Sequence, residues 1–539
     1  MLLFSLFFSF TLVSQNEKEN TNIFTNTADA AKLVIAKQKM LAGDYVAALN
    51  SFREIVKNSP NDATLRYYVA FCYFNLKQYD KAKEELLKAL AINKDVKPET
   101  HLLLGKVYQV EQDFDKAIEQ LNSYKAFNLS DKDANMEADV ALSQCQNAKS
   151  YMANPLNVTV TNMGEKINSK YDDKNPCITA DSKKMVFTTR RPETTADLVD
   201  VEGDGKYFEN IYIAVYDSTT KDFGKAVNIG APVNTKAHDA CTSISADGKQ
   251  IFVYKNDIHD NASRGGNVFY SNRINNGKWK KPETIGKPIN SSYWEGGACI
   301  STNGRTYFFS SERPGGYGGS DIWMVEKISK KEWGKPVNLG PQINTPYDEA
   351  GMFLAPDGKT LFFCSNGPLS MGSYDVLKTV NENGVWSTPV NIGYPINTPG
   401  REGQLTVSAD ARYAYISSDR KGGLGENDIY RVELKDYAIL EKDGRKTVGN
   451  GLSILRGTIR EGFEGYGLPD VEVQLKDASG NVVATAFTNE TGEYLFALRG
   501  GQYTISISKK GFKEITEPVN LALSDKETVV LEKGYLLKK

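Results

Sequence analysis

Residues that hold metals are scarce in this sequence. Only three histidines occur among 539 residues, and no two of them have the spacing of metal ligands. The six cysteines include no CxxC pair. The sequence therefore predicts neither a metal site nor a cofactor, and we expect the cysteines to be buried and unpaired.

An excess of charge of one sign is also absent. Lys and Arg number 65 and Asp and Glu number 67, which gives a net charge of −2. The chain as a whole therefore has no electrostatic attraction to nucleic acid. No apolar run after residue 15 approaches the roughly 18 residues that span a bilayer. A Gly-x-Ser-x-Gly elbow, an HExxH motif and a P-loop are missing as well. We predict that the protein is not an enzyme.

The first 14 residues, MLLFSLFFSFTLVS, are almost wholly apolar. This length suits the core of a signal peptide and is too short to cross a bilayer comfortably. No Lys or Arg precedes the run, which leaves open a start further upstream, and a buried N-terminal helix is the alternative. We predict a signal peptide over residues 1–15 and therefore export.

A repeat of 34 to 35 residues follows over residues 27–150. Each copy has an aromatic residue and, three positions later, an alanine, a pattern that lets two helices approach closely. The pairs are Tyr45 and Ala48, Tyr79 and Ala82, and Phe114 and Ala117. The pattern resembles the tetratricopeptide repeat, which implies an array of paired helices whose groove binds peptides or proteins.

A longer repeat occupies residues 155–437. Five hairpin turns of the Asp-Gly-Lys type recur every 53 to 66 residues, each followed by apolar strands. Four short strands per repeat predict a five-bladed β-propeller, or six blades if the long first repeat hides extra strands. Because the last copy lacks its fourth strand, we expect the segment before the first turn to supply it. The repeat resembles the WD40-like propeller repeat of Tol-B-type envelope proteins.

Each propeller repeat carries an acid eight residues before its turn. These acids are Asp173, Asp239, Glu295, Glu349 and Glu402, and three repeats also carry an arginine ten residues after the turn, namely Arg191, Arg313 and Arg420. Five acids could serve a metal or a reaction. However, a feature present in every repeat usually serves every repeat, so we predict pairing of each acid with arginine or backbone inside its own blade.

Positions that differ between repeats are the better candidates for contacts with a partner or ligand. They are Tyr293, Trp294, Tyr347, the loop with Gly315 and Tyr317, and the insertion at 192–209 with Asp200 and Asp204. The insertion partly resembles a calcium loop, but Ile211 stands where such a loop needs a glutamate.

Residues 438–452 are predicted to be a linker, and short alternating strands with glycine turns follow over 453–535. The string from Gly457 to Ile505 resembles the carboxypeptidase regulatory-like domain. The resemblance implies a small transthyretin-like β-sandwich that is not catalytic and acts as a spacer or adhesion module.

The order of these segments resembles a family of bacterial envelope proteins that includes the type IX secretion protein PorE. Such proteins usually end in an outer-membrane-protein-A-type domain that binds peptidoglycan, which does not occur before Lys539. The resemblance implies a periplasmic scaffold at the outer membrane that serves secretion, gliding or barrel assembly, with protein partners and at most indirect contact with peptidoglycan. The alternatives are a module that binds a glycan or muropeptide at the propeller mouth and, less favoured, a hydrolase or calcium sensor.

Overall fold

The computed structural model describes residues 27–194, 199–200, 205–256, 266–274, 277–328, 332–440, 452–462, 465–522 and 528–539. The predicted signal peptide at 1–15, most of the predicted linker and Asp204 lie outside these ranges. The chain divides into two compact units that meet in sequence at Ala153 and Asn154. No helix in the described part of the chain is both long and apolar enough to span a membrane.

The first unit consists of helices. Its described residues form α1 (Thr27–Leu41), α2 (Tyr45–Asn58), α3 (Ala63–Asn75), α4 (Tyr79–Ile92), α5 (Pro98–Val110), α6 (Phe114–Ala126) and α7 (Lys132–Ala153). Aspartates cap three of them, since the carboxylates of Asp44, Asp62 and Asp113 accept hydrogen bonds from backbone N–H groups of the first helical turn. The helices pack as three consecutive pairs followed by α7.

The repeated residues of this unit lie where the helices approach each other. Ala48, Ala82 and Ala117 are completely buried. The Tyr79 ring meets the Phe74 ring edge to face at a centroid distance of 5.5 Å, and so bridges α3 and α4. The array of paired helices predicted from the 34-residue period is therefore confirmed.

The second unit begins with five sheets that follow one another along the chain. Strand β1 (Thr159–Asn162) comes first. The first sheet contains β2 (Asp173–Ile178), β3 (Lys184–Thr189), β4 (Asn210–Asp217), β5 (Asp222–Phe223) and β6 (Val227–Asn228), and the second contains β7 (His238–Ile244), β8 (Gln250–Asn256), β9 (Asn267–Asn272) and β10 (Glu283–Thr284). The third contains β11 (Glu295–Ile300), β12 (Thr306–Ser311), β13 (Asp321–Glu326) and β14 (Val337–Asn338).

The fourth sheet contains β15 (Glu349–Leu354), β16 (Thr360–Ser365), β17 (Asp375–Glu382), β18 (Val385–Trp386) and β19 (Val390–Asn391). The fifth contains β20 (Glu402–Val407), β21 (Tyr413–Ser418) and β22 (Asp428–Glu433), and β1 pairs antiparallel with β22 as its outer strand. The start of this unit thus completes the last sheet, as the missing fourth strand predicts.

The five sheets close into a ring. The first strand of each sheet contacts the first strand of the next, and β20 of the fifth sheet contacts β2 of the first. All five inner strands also carry a bulge at the equivalent place. We call the end of the ring where the inner strands begin the acid end, because the repeated acids lie there, and the opposite end the turn end.

The last segment forms two further sheets. One contains β23 (Leu452–Glu461), β26 (Glu493–Arg499), β29 (Val530–Glu532) and β30 (Tyr535–Leu537). The other contains β24 (Glu472–Lys476), β25 (Val482–Phe487), β27 (Gly501–Ser508) and β28 (Ile515–Leu521). Buried side chains from both sheets, among them Leu455, Val473 and Ile505, form one core. We call this part the C-terminal domain.

The C-terminal domain packs against the turn end of the ring. Ala180 and Ala409 of the ring share one buried cluster with Leu452, Ile454 and Leu495 of the domain. The Leu452 N–H donates to the Ala409 carbonyl at 2.8 Å. Small alanines therefore let the domain approach the ring backbone closely.

Polar contacts surround this apolar cluster. Arg456 pairs with Asp181 at 3.2 Å, and Lys249 pairs with Glu493. The guanidinium of Arg305 lies 3.5 Å from the centroid of the Phe487 ring. Turns of three different sheets thus hold the domain, which is docked on the ring in this structure.

The described part of the predicted linker is also packed. Ala438 and Ile439 are buried, and the Ile439 carbonyl accepts a hydrogen bond of 3.2 Å from the Lys378 ammonium of the fourth sheet. The packed segment of the ring therefore continues to residue 440, beyond the boundary at 437 expected from the repeats.

Candidate functional site

The five repeated acids lie at the start of the inner strands. All five are buried. Each carboxylate accepts a hydrogen bond from the backbone N–H four residues before it, which belongs to Ser169, Thr235, Ser291, Thr345 or Thr398. The acids thereby hold the segment that enters each sheet, which is a structural task repeated five times.

Three of the acids pair with the arginine of their own sheet. Arg191 lies 2.5 Å from Asp173, Arg313 lies 3.2 Å from Glu295, and Arg420 lies 3.3 Å from Glu402. Each guanidinium also donates to a backbone carbonyl that precedes the inner strand. The arginines therefore connect two strands with the incoming segment, and the structure places these pairs inside single sheets.

In the other two sheets the carboxylates have different partners. In the second sheet Lys255, which stands two positions before the place of the arginine in the other repeats, pairs with Asp239. Glu349 in the fourth sheet accepts hydrogen bonds from the Thr345 and Ser365 hydroxyls at 2.7 and 3.0 Å. Burial raises the pKa of Glu349 to about 7. Burial also raises the pKa of Glu402 to about 7, although Arg420 opposes the shift.

The positions beside the repeated acids form a rim that differs from sheet to sheet. Each sheet contributes two residues to this rim. One directly precedes the repeated acid, and the other directly follows the second strand of the sheet or is the last residue of that strand. The pairs are Asp172 with Arg190, His238 with Asn256, Trp294 with Glu312, Asp348 with Asn366, and Arg401 with Asp419. Backbone hydrogen bonds join the two members in the first, third and fifth sheets. The N–H groups of Arg190, Glu312 and Asp419 donate to the carbonyls of Asp172, Trp294 and Arg401 at 3.0, 3.2 and 3.2 Å. Because this rim varies while the scaffold below it repeats, it is the candidate functional site.

Trp294 gives the rim an aromatic side beside a carboxylate. Its ring lies 6.5 Å from that of buried Tyr254, and a Cβ added to Gly296 would stand only 2.0 Å from the indole. Glu312 is exposed next to it. Partial burial of its carboxylate and the negative charges of Asp348 and Glu295 raise the pKa of Glu312. This part of the rim therefore combines an aromatic ring with an exposed carboxylate.

A second polar group lies between the fourth and fifth sheets. The Asp348 carboxylate accepts hydrogen bonds from the Tyr374 hydroxyl at 2.9 Å, the Asn366 amide at 3.3 Å and the Ser320 N–H at 3.1 Å. The Arg401 guanidinium stands 5.1 Å from the Tyr374 ring centroid. Asp348 and Arg401, which carry opposite charges, therefore both contact the Tyr374 side chain.

A buried charged cluster completes the rim in the first and second sheets. Lys174 lies 2.8 Å from Asp172 and 2.9 Å from Glu209, and His238 lies 3.3 Å from Glu209 and 3.1 Å from Asp200. Burial opposes protonation of Lys174, but Asp172 and Glu209 raise its pKa. Asp200 was expected to be a surface contact. The structure instead places it in the interior, where it binds His238.

The remaining candidate contacts lie at the acid end. Tyr293, Trp294 and Tyr347 are half-buried, and Gly315 and Tyr317 are exposed on one loop. That loop packs on the next sheet, because the Gly319 N–H donates to the Tyr347 carbonyl at 3.2 Å. A Cβ on Gly318 would stand 2.3 Å from the Thr345 carbonyl oxygen, so only glycine fits this approach.

Side chains of the inner strands contact one another across sheets. The Sγ atoms of Cys177 and Cys241 lie 3.8 Å apart, and the Gln404 amide reaches the Thr242 carbonyl at 3.0 Å. All six cysteines are buried and free, as predicted. In the described ranges no group of His, Cys, Asp and Glu is arranged to hold a metal ion.

Sequence reasoning missed several members of the rim. Lys255 does not have the spacing of the repeated arginines, and Tyr254, Glu312 and Tyr374 stand at positions where the other repeats carry different residues. Alignment of the five repeats on their acids, followed by attention to the directly preceding residue, would have found Asp172, His238 and Arg401 alongside Trp294.

Comparison with known proteins assigns two segments of the chain to families. Residues 39–99 match the tetratricopeptide repeat family, and residues 454–532 match the carboxypeptidase regulatory-like domain family. The chain thus contains tetratricopeptide repeats and a carboxypeptidase regulatory-like domain. Tetratricopeptide repeats work through protein–protein contacts and are typically not enzymatic.

The individual matches are partial. The BBSome complex member BBS4 of Bos taurus is 36% identical over 86 residues, which cover 16% of this chain and 16% of that protein. The chain therefore matches only about a sixth of the length of this relative. Among solved structures, the type III secretion translocator chaperone SycD of Yersinia enterocolitica is 13% identical and covers 24% of this chain and 92% of its own, with a TM-score of 0.23. The TPR2B domain of yeast Sti1 is 15% identical and covers 22% and 98%, with a TM-score of 0.21.

Proposed function

We propose that the ring is a five-bladed β-propeller and that the C-terminal domain is a transthyretin-like sandwich. The support is the cycle of inner strands, in which β20 meets β2, together with β1 as the outer strand of the fifth sheet. Such closure leaves no free sheet edge at the junction of the ring. A sixth blade would need strands beyond these sheets.

We further propose that the protein is a non-enzymatic scaffold in the cell envelope, exported to the periplasm and attached to an outer-membrane complex. The observation that carries this proposal is the tetratricopeptide array, a class of domain that binds protein segments, joined in one chain to a ring with a varied rim. The resemblance to PorE-type proteins supports secretion, gliding or barrel assembly as the process.

The test is a pull-down of the tagged full chain from its native envelope in mild detergent, read by mass spectrometry. We expect recovery of outer-membrane barrels and lipoproteins in amounts comparable to the bait. The tag alone serves as the control. Recovery of the protein by itself, or its presence only in the cytosolic fraction, would contradict the proposal.

A second candidate function is binding of a glycan or muropeptide at the acid end. Trp294 favours it, because an indole beside the carboxylate of Glu312 offers both stacking and hydrogen bonding to a sugar. We expect the wild type to sediment with purified peptidoglycan and Trp294→Ala to lose retention. A variant with an exposed apolar change elsewhere, Val385→Ala, is the matched control. Equal retention of all three proteins would remove this candidate.

A further inference from the structure

One end of the C-terminal domain lies beyond its contacts with the ring. Strand β23 contacts the ring between Leu452 and Arg456. It ends at Glu461, roughly 15 Å further on at about 3.3 Å per residue. Beside this end, Tyr466 is 93% exposed and Leu536 is 39% exposed. Tyr466 is thereby the most exposed of the large apolar side chains in the part of the chain that the structure describes.

The segments at this end are joined to one another. Backbone hydrogen bonds connect the loop after β23, the strand β30 and the turn between β27 and β28. The pairs are Glu461 N–H with Tyr466 O at 3.4 Å, Gly462 N–H with Leu537 O at 3.3 Å, and Lys513 N–H with Lys538 O at 2.8 Å. Leu536 lies opposite Arg460 in the pairing of β30 with β23, and the Lys539 ammonium lies 5.8 Å from the centroid of the Phe512 ring. These residues therefore form one continuous surface, which we call the distal end.

Basic side chains predominate at the distal end. The exposed ones are Arg460, Lys510, Lys513, Lys538 and Lys539. Within the described ranges only Lys539 among them forms an ion pair, with Glu461 at 2.7 Å. Glu514 accepts a hydrogen bond from the Ser506 hydroxyl at 2.7 Å, and Glu464 lies outside the described ranges. Four cationic groups of this surface are therefore available to an anionic partner.

A bilayer surface suits the distal end better than an acidic protein segment does. A peptide segment needs a groove, and the groove beside Phe512 is lined by Asp470, Glu472 and Glu514 as well as by lysines. Those carboxylates repel an acidic segment. Tyrosine beside lysine and arginine is, in contrast, the composition of protein surfaces at the headgroups of a bilayer, where the ring lies in partly apolar surroundings and the cations meet phosphates.

We propose that the distal end, with Tyr466, Leu536, Arg460, Lys513 and Lys538, binds the surface of a membrane that contains anionic phospholipid. Tyr466 and Leu536 supply apolar contact with the headgroup region, and the basic side chains attract the lipid phosphates. The inference rests on the proposed scaffold function, and it names a lipid contact that holds the scaffold beside an outer-membrane complex.

The test measures co-sedimentation of the full chain with phospholipid vesicles. We expect binding to vesicles that contain about a third phosphatidylglycerol and little binding to vesicles of phosphatidylcholine alone. The double variant Lys513→Gln with Lys538→Gln should bind the anionic vesicles at least about tenfold more weakly, because each lysine at an anionic surface contributes a factor of about five. The matched control, Lys281→Gln with Lys421→Gln, removes two exposed lysines of the ring and should keep the affinity of the wild type.

A second variant tests the apolar part of the contact. Tyr466→Ala should weaken binding to the anionic vesicles about threefold or more, because it removes apolar area that the headgroup region covers. Tyr317→Ala, which changes a tyrosine that is 49% exposed on the ring, should leave binding unchanged. Equal melting temperatures of the variants and the wild type establish that folding is retained.

Several results would overturn the inference. They are a wild type that binds neither kind of vesicle or both kinds equally, a double Gln variant that binds like its control, and a Tyr466→Ala variant that binds like the wild type. Retention on immobilised polyglutamate without binding to anionic vesicles would also overturn it, and would assign the distal end to an acidic protein.

The pull-down from the native envelope tests the scaffold function separately. If it recovers outer-membrane proteins while vesicle binding fails, the scaffold function stands and only the lipid contact is wrong. If vesicles bind the wild type and the pull-down recovers no partner, the lipid contact stands and the scaffold function fails.

Discussion

At the scale of single residues, the repeated acids show how similar positions acquire different chemistry. Asp173, Glu295 and Glu402 have an arginine, while Glu349 relies on hydroxyl and backbone donors. A buried carboxylate without a cationic partner is costly to ionise. The fourth sheet therefore contains an acid whose charge opposes folding at neutral pH.

The pH dependence of stability tests this view of Glu349. Its pKa in the folded protein is about 7, above the ordinary value of 4.5. The folded protein holds a proton that the unfolded chain releases, so this group lowers stability as pH rises through that interval. Glu349→Gln should remove the contribution of Glu349 to the dependence, while the contribution of Glu402 remains in both proteins. We expect its free energy of unfolding, relative to wild type, to rise by about 3 kcal/mol from about pH 5 to about pH 8 in urea titrations. Parallel profiles would contradict the assignment, and exposed Glu326→Gln is the control.

At the scale of elements, glycine loops lock neighbouring sheets together. The loop glycines Gly318, Gly372 and Gly425 each lie against the backbone that leads into the next inner strand. At Gly425, a Cβ would stand 1.9 Å from the Tyr171 carbonyl oxygen, which joins the fifth sheet to the first. The ring is thus closed by the β1 and β22 pairing and by this loop.

Replacement of Gly425 should weaken ring closure. Gly425→Ala forces the loop away from Tyr171, and we expect a loss of about 1 to 3 kcal/mol in the free energy of unfolding, measured by chemical denaturation. Gly224→Ala is the matched control, because its Cβ would meet the Val215 carbonyl at an ordinary 3.5 Å. Equal stability of the two variants would show that the loop does not hold the sheets.

At the scale of the whole second unit, the C-terminal domain contacts those turns of the ring that are preceded by alanine. Ala180, Ala246 and Ala409 precede the turns of the first, second and fifth sheets, whereas Thr302 and Pro356 occupy the equivalent places in the other two. The three alanines belong to the cluster with Ile454 or pack against it. We therefore expect ring and C-terminal domain to unfold as one cooperative unit.

Ile454→Ala should uncouple them. The side chain is fully buried between ring and domain, while its neighbour Leu455 belongs to the core of the domain itself. Removal of three carbons should weaken docking by about 2 to 4 kcal/mol and split one calorimetric transition into two. Exposed Val482→Ala in the same domain should leave the transition single. An unsplit transition for Ile454→Ala would mean that docking contributes little to cooperativity.

The sequence by itself determined the features that repeat. The spacing of Tyr45, Tyr79 and Phe114 predicted the helix pairs, and the absent fourth strand of the last repeat predicted its replacement by β1. Periodic patterns are visible without coordinates because each copy must bury the same side chains in the same local geometry.

Only the tertiary structure decided which distant residues meet. Lys255 with Asp239, Asp200 with His238, and the Arg305 guanidinium on Phe487 join positions that no period relates. Such contacts form only when complete sheets pack together, because the residues that bury each other lie far apart in the chain. For the same reason the docked C-terminal domain, which leaves the acid end of the ring uncovered by its own contacts, could not be predicted from the sequence.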